Sequence, residues 1–319
     1  MKVSLFRRLQ NTSSRDLNRY IAIAGAVFAA SALLFIGYYV VDRYIRVGNQ
    51  TPSIVDSGIQ NLEKEVRRDP ENPEPRIALA QYYMNKVMYD KAVDQVNQVL
   101  ENFPENETAL LVAGTALTRL GKTQEAITRL ENLAKLRNDS KSADHSILQT
   151  TYYLLGKNYN ILGQHDKALS VLELALRIKP TDADALYQAG LASLATKQPD
   201  KAVDYFNKSV RLVPDYSEAY TGLIDAYTAL GKLDYVAYAR GMQAFNQGDY
   251  NTAQTHLEFA TKAIPDFAPA YYGLALAYEK QKRLAEAYSA INVAAQLDPK
   301  NIAIQQAQGR LKNALKVQG

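Results

Sequence analysis

The stretch from Gln149 to Asp182, QTTYYLLGKNYNILGQHDKALSVLELALRIKPTD, contains two amphipathic helical patterns separated by a turn. Glycine at 163 marks the turn, and Pro180 ends the second pattern because proline cannot continue a helix. The apolar and small residues of the two stripes are Tyr152, Leu155, Gly156 and Tyr159, then Ala168, Leu169, Leu172, Ala175 and Leu176. Small residues on both stripes allow the helix axes to come close, so the stretch predicts two packed helices.

The same pattern recurs along the chain with a fixed period. The small residue that opens each second helix is found at Ala92, Ala126, Ala168, Ala202, Ala253 and Ala287. Three of the five steps between these residues are 34 residues long. The other two steps, of 42 and 51 residues, equal one period plus eight residues and one and a half periods. Such self-similarity indicates a repeat array in which each unit packs on its neighbours.

Two further positions of the unit agree with this period. Position eight is small in every unit: Ala80, Gly114, Gly156, Gly190, Gly241 and Ala275. The residue that ends each second helix is Pro104, Asn138, Pro180, Pro214, Pro265 or Pro299. Over roughly residues 54 to 301, the chain therefore resembles the tetratricopeptide repeat family, whose unit is a helix–turn–helix of 34 residues. The family's usual tryptophan at position four is absent. The resemblance implies an all-α fold, an α-solenoid of helix–turn–helix repeats.

Composition excludes several classes of function. The chain has no cysteine, which rules out a disulfide framework and a thiolate metal site. Its net charge of +4 comes entirely from residues 1–19, which hold five basic residues and one acidic residue. The other 300 residues hold 32 of each sign. The positive net charge therefore belongs to a short basic tail. Because the rest of the chain has no excess of basic residues, we expect no nucleic-acid partner.

Residues Tyr20–Val41, YIAIAGAVFAASALLFIGYYVV, form a run of 22 residues without a charge. At about 1.5 Å per residue, a helix of this length spans about 33 Å, enough to cross a hydrocarbon core of about 30 Å. The alternative is a cleavable signal peptide, whose apolar region usually has only about 7–15 residues. The run ends in YYVVD, without a small-x-small cleavage site. We expect an uncleaved signal anchor, a single transmembrane helix.

The flanks of this run predict its orientation. The preceding tail carries five Lys or Arg residues, whereas residues 42–62 carry only Arg43 and Arg46. Because positive charge is retained on the cytoplasmic side, the N-terminus is expected in the cytoplasm. The repeats are then expected on the other side of the membrane, in the periplasm or another extracytoplasmic space.

Two successive segments, 217–233 and 234–247, both carry the marks of a first helix. A second helix is therefore missing between them, which predicts a break in the superhelix. The predicted organisation is a basic cytoplasmic tail (1–19), a transmembrane helix (20–41), a linker and half repeat (42–72), four repeat units (73–216), an extra helix (217–233), two more units (234–301) and a capping helix (302–319). The capping helix is expected to cover the last apolar face of the array.

Nothing in the sequence indicates catalysis. His145, His165 and His256 lie in an insert, a turn and a helix, without metal-ligand spacing. The glycines fall at repeat positions that packing and turning explain, so no phosphate-binding loop is indicated. No pair of carboxylates is singled out as an acid and base. We expect no enzyme activity, no cofactor, no metal site and no small-molecule substrate.

Protein binding is the function that the family resemblance implies. In this family, set positions of the first helix line a concave groove where partners bind. By register, the predicted groove residues are Leu111, Thr115, Tyr153, Lys157, Tyr187, Leu191, Leu194, Tyr235, Tyr238, Met242, Phe245, Tyr272 and Leu276. Such apolar and aromatic side chains are typical of protein interfaces.

The family's best-known peptide clamp, which holds a C-terminal carboxylate, is not matched. Tyr153 and Tyr187 occupy the lysine position of that clamp, and Lys157 and Leu191 occupy its asparagine position. The sequence instead favours an extended or helical partner segment with apolar anchors.

Two hypotheses follow. The first is a membrane-anchored scaffold or assembly factor that binds membrane or envelope proteins. The alternative is a permanent structural subunit of a large respiratory, photosynthetic or secretion complex, held by its membrane span. Small residues within 20–41 would allow that span to pack against other helices.

Overall fold

The computed structural model describes residues 54–139 and 145–318, and its described residues from 62 onward belong to one compact unit. All regular secondary structure in the described ranges is α-helical. The helices are α1 (Ile54–Arg68), α2 (Pro73–Asn85), α3 (Tyr89–Asn102), α4 (Glu107–Arg119), α5 (Thr123–Asp139), α6 (Ser146–Ile161), α7 (His165–Ile178), α8 (Ala183–Ala195), α9 (Pro199–Leu212), α10 (Ser217–Ala229), α11 (Leu233–Asn246), α12 (Tyr250–Ala263), α13 (Ala268–Lys280), α14 (Leu284–Leu297) and α15 (Ile302–Gln318). The predicted all-α class is confirmed.

From α2 onward, each helix packs against the next one in the chain. The helices of each repeat pair form the largest contacts: α2 with α3, α4 with α5, α6 with α7, α8 with α9, α11 with α12, and α13 with α14. The first helices of successive pairs also contact each other, so that α6 touches both α4 and α8. This stacking of helix pairs is the architecture of an α-solenoid, as the repeat period predicts.

Small side chains at position eight are required where paired helices approach. A Cβ atom placed on Gly190 would lie 2.5 Å from Cε1 of Phe206, well inside van der Waals contact. Phe206 is fully buried and also fills the space beside Gly222, on helix α10. Leu130 packs against Gly114 in the same way, and Leu257 packs against Gly241. In the four pairs whose position eight is glycine, one large side chain of the second helix therefore occupies the space that this glycine leaves.

Local sequence signals set several helix boundaries. Asp182 caps α8, since its Oδ1 accepts a hydrogen bond of 3.0 Å from the backbone N–H of Ala185. Asn106 caps α4 in the same way, at 2.9 Å from the Ala109 nitrogen. Such caps satisfy backbone donors that a helix start leaves unpaired. In the five pairs closed by a proline, the second helix ends two residues before that proline.

The short turns that follow the first-type helices use the left-handed backbone region. Glycine occupies this position at Gly121, Gly163, Gly231 and Gly248, with φ between 68° and 81°. In three other turns the same position is Val87, Lys197 or Lys282, with φ between 58° and 63°. Because left-handed backbone is costly for residues with a Cβ, these three turns store strain that glycine avoids.

Helices α10 and α11 interrupt the alternation of first and second helices. Contacts between alternate helices join α2, α4, α6, α8 and α10 in one series, and α11 contacts α13 in a second. Helix α10 packs against both α9 and α11, and α11 pairs with α12. The predicted break in the superhelix at this place stays a prediction.

The last helix, α15, packs on α14. It buries Ile304, Ala307 and Leu311, which follow one another at helical spacing. Its Arg310 forms a bidentate ion pair with Glu279 of α13, with N–O distances of 2.8 and 2.7 Å.

The predicted transmembrane helix at 20–41 lies outside the described residues. Within the described ranges, none of the helices combines the length and apolar character that a membrane crossing needs.

Candidate protein-binding groove

The predicted groove residues all lie on helices of one type. They are found on α4, α6, α8, α11 and α13, the first helices of their pairs. Eleven of the thirteen side chains are half-buried. Tyr238 and Met242 are the exceptions, with only 6% and 5% of their surface exposed. The half-buried side chains can contact a partner, whereas these two belong to the core.

The burial of Tyr238 and Met242 has a tertiary cause. Helix α11, which carries them, contacts α10, α12 and α13. The ring of Tyr238 packs edge-on against Phe267, with 4.9 Å between centroids, and lies 6.5 Å from the ring of Tyr220. This burial raises the pKa of Tyr238 well above its usual value. The repeat pattern of the sequence does not reveal these ring contacts.

Tyr153, Tyr187 and Tyr216 form an aromatic surface across α6, α8 and the residue before α10. The rings of Tyr187 and Tyr216 lie 5.0 Å apart, and Tyr187 also packs 5.9 Å from Phe206. Both Tyr187 and Tyr153 are close enough to Tyr216 to disfavour ionisation of its hydroxyl. Burial, with smaller contributions from nearby carboxylates such as Asp184, raises the pKa of Tyr153 to about 12. These hydroxyls are therefore neutral at physiological pH.

A cleft of about 530 Å³ lies beside this surface, between the starts of α8 and α10. Tyr216 lines it and donates a hydrogen bond of 2.9 Å to Oδ1 of Asp184. The charged residues of the cleft are Lys179, Asp182, Asp184, Asp215 and Glu218. Sequence reasoning did not include these residues or Tyr216. Asp184 and Glu218 stand at the second position of their helices, and the family resemblance implies that this position faces the groove.

Further along the array, Tyr235 joins a second aromatic group. Its ring centroid lies 5.1 Å from that of Tyr227 and 5.0 Å from that of Phe267. Phe245 packs 5.5 Å from Tyr250 of the following helix. Tyr235 and Phe245 are half-buried. Each ring therefore packs against neighbouring rings and still has part of its surface exposed to solvent.

The polar groove residue Thr115 is already satisfied within its helix. Its hydroxyl donates to the carbonyl oxygen of Leu111 at 2.7 Å. Behind this part of the groove, the fully buried Asn158 links α6 to α4 by donating to Oγ1 of Thr118 at 2.7 Å. These bonds give the first helices a fixed polar framework, because buried polar groups are costly when unpaired.

Tyrosine–carboxylate pairs recur in this protein. Five tyrosine hydroxyls of the described ranges donate to carboxylates, in the pairs Tyr83–Glu63, Tyr159–Glu131, Tyr205–Glu173, Tyr216–Asp184 and Tyr278–Glu258. Three of them join the eleventh position of a first helix to a second helix of the preceding unit. The sequence contains this signal, since Glu63 and Glu258 each precede their tyrosine by 20 residues.

The histidine and acidic side chains of the described ranges do not gather into a metal site. Within residues 54–139 and 145–318, no group of three or more His, Asp or Glu side chains is placed to hold a metal ion. His165 contacts the side chain of Asn160 at 3.2 Å, a contact inside one repeat pair. The arrangement instead offers a row of aromatic and aliphatic side chains with an acidic cleft beside it.

Comparison with known proteins gives relatives of several kinds. The chain is 27% identical over 176 residues to the BBSome complex member BBS4 of Bos taurus, a match of 55% of this chain and 32% of that protein. It is 33% identical over 104 residues to DnaJ homolog subfamily C member 7 of Homo sapiens, which is 33% of this chain and 19% of that protein. It is 25% identical over 212 residues to protein O-mannosyl-transferase TMTC1 of Homo sapiens, 65% of this chain and 21% of that protein. The chain thus spans about a third or less of the length of these relatives.

Comparison with solved structures gives further matches. The crystal structure of MamA protein has 23% sequence identity and a TM-score of 0.46, over 61% of this chain and 95% of that chain. A tetratricopeptide repeat protein from Parabacteroides merdae ATCC 43184 has 17% identity and a TM-score of 0.46, over 88% and 98% of the two chains.

Family models agree with the repeat pattern and with the stacked helix pairs. Residues 106–181, 153–217 and 238–302 match models described as tetratricopeptide repeat. Together these matches cover more than half of the chain, which therefore belongs to the tetratricopeptide repeat family.

Proposed function

We propose that this protein is a membrane-anchored scaffold or assembly factor, which presents its repeat groove to a protein partner outside the cytoplasm. One observation carries the proposal: half-buried aromatic and aliphatic side chains follow one another on successive first helices, as in the series Tyr153, Tyr187 and Leu191. Aromatic residues that keep an exposed edge contribute large contact areas at low cost in side-chain entropy.

The rigidity of the stack supports binding of a flexible partner segment. The rings of Tyr187 and Tyr216 are held against each other, and that of Tyr187 against Phe206, before any partner arrives. A preformed surface loses little conformational freedom on binding, so more of the contact energy appears as affinity. A modest number of apolar anchors then suffices.

The anchor supports the cellular part of the proposal. Residues 20–41 are uncharged and follow a tail with five basic residues, which favours a cytoplasmic N-terminus and an extracytoplasmic repeat array. Confinement to the membrane raises the effective concentration of membrane or envelope partners. By its name, BBS4, one relative of the repeat region, is a member of a multiprotein complex.

The test is purification from native membranes in mild detergent, with the wild type compared with a Tyr153/Tyr187/Leu194→Ser variant. These three side chains lie on first helices and are half-buried. A matched control, Val171/Leu174/Tyr205→Ser, changes three half-buried apolar residues on second helices. Circular dichroism establishes that both variants remain helical.

We expect a partner that co-purifies with the wild type and with the control and is lost from the groove variant. A partner that stays bound to a folded groove variant would contradict the proposal. It would direct attention to the membrane span, and thereby to the alternative of a permanent subunit of a membrane complex. Replacing residues 20–41 by an unrelated span tests that alternative, because a subunit held by its span loses the complex whereas a groove-bound scaffold keeps its partner.

A further inference from the structure

Four of the five tyrosine–carboxylate pairs carry a positive charge from the chain itself. In each of the four, a Lys or Arg side chain lies over the tyrosine ring, whose negative face attracts it. Two of these cations also form an ion pair with a further carboxylate, Lys208 with Asp204 and Arg283 with Glu286. The cations are Lys91 over Tyr83 at 5.5 Å, Lys167 over Tyr159 at 5.5 Å, Lys208 over Tyr205 at 6.0 Å and Arg283 over Tyr278 at 4.4 Å from the ring centroid. The arrangement of ring, carboxylate and cation is therefore a recurring element of this protein.

The fifth pair, Tyr216 with Asp184, lacks this cation. In the described part of the chain, no Lys or Arg lies over the Tyr216 ring. Lys179, the basic residue of the same cleft, is placed 3.6 Å from Oδ2 of Asp182 instead. The fifth pair lines the cleft of about 530 Å³, where there is room for a side chain from another molecule. The pair Tyr205–Glu173 also lines a cleft, of about 450 Å³, but its ring already has Lys208 over it.

The negative charge of the cleft also favours binding of a cation. Asp182 is used by the fold, since it caps α8 and accepts a 2.8 Å hydrogen bond from the side chain of Gln149. Asp215 and Glu218 are exposed, and within residues 54–139 and 145–318 neither forms an ion pair. Two carboxylates are thus available at the mouth of the cleft, in addition to Asp184.

Helix ends account for only part of this charge. Asp184 and Glu218 lie in the first turns of α8 and α10, where acidic residues stabilise the helix. A helix N-terminus contributes about half of an elementary positive charge. The cleft has four carboxylates, and their negative charge is opposed by one lysine and by the N-termini of two helices. The remaining charge is about −2. Helix stabilisation alone therefore leaves the cleft attractive to a cation.

We infer that the cleft binds a Lys or Arg side chain of the partner segment, which lies over the Tyr216 ring and completes the fifth ring–carboxylate–cation arrangement. This inference rests on the proposed function, because it specifies the chemistry of the segment that occupies the groove. The stem of the basic side chain packs on Tyr187 and Tyr216, and its charge faces Asp184 and Glu218. Apolar residues that flank it in the partner contact Tyr153, Leu191 and Leu194.

The experiment uses the full chain in detergent micelles and a library of random nonapeptides without cysteine. Retained peptides are sequenced by mass spectrometry and aligned. Three variants accompany the wild type: Asp215→Asn/Glu218→Gln, which removes charge from exposed positions; Tyr216→Leu, which removes the ring; and Glu173→Gln as the matched control. The control alters a pair, Tyr205 with Glu173, that already has its own cation, Lys208.

We expect Lys and Arg to be enriched about three- to tenfold at one position of the aligned wild-type pool, as an exposed cation–π contact combined with surface ion pairs allows. The enrichment disappears with Asp215→Asn/Glu218→Gln and with Tyr216→Leu, persists with Glu173→Gln, and weakens as salt is raised.

Two results overturn the inference. One is a pool without basic enrichment; the other is enrichment that survives in both cleft variants. In either case, if the Tyr153/Tyr187/Leu194→Ser variant no longer retains the peptides, the groove still binds peptides but has no specificity for a basic side chain at the cleft. If the wild type retains no peptide, the inference also fails, and the co-purification experiment decides separately on the proposed function.

Discussion

The hydroxyl of Tyr278 donates a hydrogen bond of 2.6 Å to Oε1 of Glu258 and so joins helix α13 to the second helix of the preceding repeat. Arg283 lies over the same ring, 4.4 Å from its centroid. Tyr83 with Glu63 repeats this arrangement at the other end of the array, with Lys91 as its cation. In a solenoid, contacts between neighbouring units provide the cooperativity of folding, so these pairs should matter for stability.

Replacement of Tyr278 by Phe should destabilise the protein by about 1–2 kcal/mol, because a hydrogen bond to a charged group is lost and Glu258 keeps only Gln254 as a side-chain donor. The measurement is urea denaturation followed by circular dichroism. The control is Tyr272→Phe, since the Tyr272 hydroxyl makes no hydrogen bond within the described ranges and its loss should change stability little. Equal destabilisation by both changes would show that the pair contributes nothing specific.

Stability should fall as pH rises from about 10 to 12. Burial, and then the hydrogen bond to Glu258, raises the pKa of Tyr278 to about 12. Burial also raises the pKa of Tyr153 and that of Tyr205 to about 12. In this window the unfolded chain releases tyrosine protons that the folded chain still holds, so alkali favours unfolding.

Thermal unfolding at pH 8 and at pH 11 measures this effect. The Tyr278→Phe variant should lose less stability between the two pH values than the wild type does. An identical loss in both proteins would mean that this hydroxyl does not contribute to alkaline unfolding.

Gly190→Ala should destabilise the protein by about 1–3 kcal/mol, although alanine is the better helix former, because the added methyl group overpacks the core against Phe206. Gly309 of α15 provides the control, since a Cβ there meets no atom within 4 Å. Gly309→Ala should stabilise the protein by up to about 1 kcal/mol. Thermal denaturation of both variants gives the comparison, and a stabilising Gly190→Ala would refute the packing argument.

Lys197→Gly and Val87→Gly should each stabilise the protein, by up to about 1 kcal/mol, since φ is positive at both positions and glycine adopts it without steric cost. Greater freedom of glycine in the unfolded chain offsets part of the gain. The converse change, Gly121→Ala, should be destabilising. Urea midpoints report all three, and a loss of stability with both glycine variants would show that the turns are not strained.

The membrane orientation of the proposal can be tested with single cysteines, because the natural chain has none. In sealed right-side-out vesicles, a membrane-impermeant maleimide should label Glu101→Cys, an exposed position of α3. It should label Ser4→Cys, in the basic tail, only after the vesicles are opened. The reverse pattern would place the repeats in the cytoplasm and refute the proposed orientation.

Much of the fold was predictable from local features of the sequence. The period of 34 residues, the small residues at position eight and the prolines between units predicted helix pairs that the structure contains. These features are readable because a repeat is a local unit, and each one meets the same neighbours at the same positions. Gly156, for example, is small because Leu172, in the same repeat, needs the space.

The surface of the groove was predictable only in part. Register placed Tyr187 and Tyr238 at equivalent positions, yet Tyr187 is half-buried and Tyr238 lies in the core. The difference arises from the local packing of the rings, because Tyr238 packs edge-on against Phe267 and also lies beside Tyr220 of the helix before it. Register describes a position within one repeat and does not include such irregular packing.

Periodicity, hydrophobic patterning and turn chemistry thus determined the secondary structure and the stacking of pairs, because these depend on residues close in the chain. Only the tertiary structure decided which aromatic rings stay accessible. It also brought Tyr216, the last residue of the fourth unit, together with Asp184 and Tyr187 near the start of the same unit, at the edge of an open cleft. The physical reason is that a binding surface of a solenoid is shared between successive units. Its chemistry is therefore set by residues that are far apart in the chain, such as Asp184 and Tyr216, which local sequence patterns do not connect.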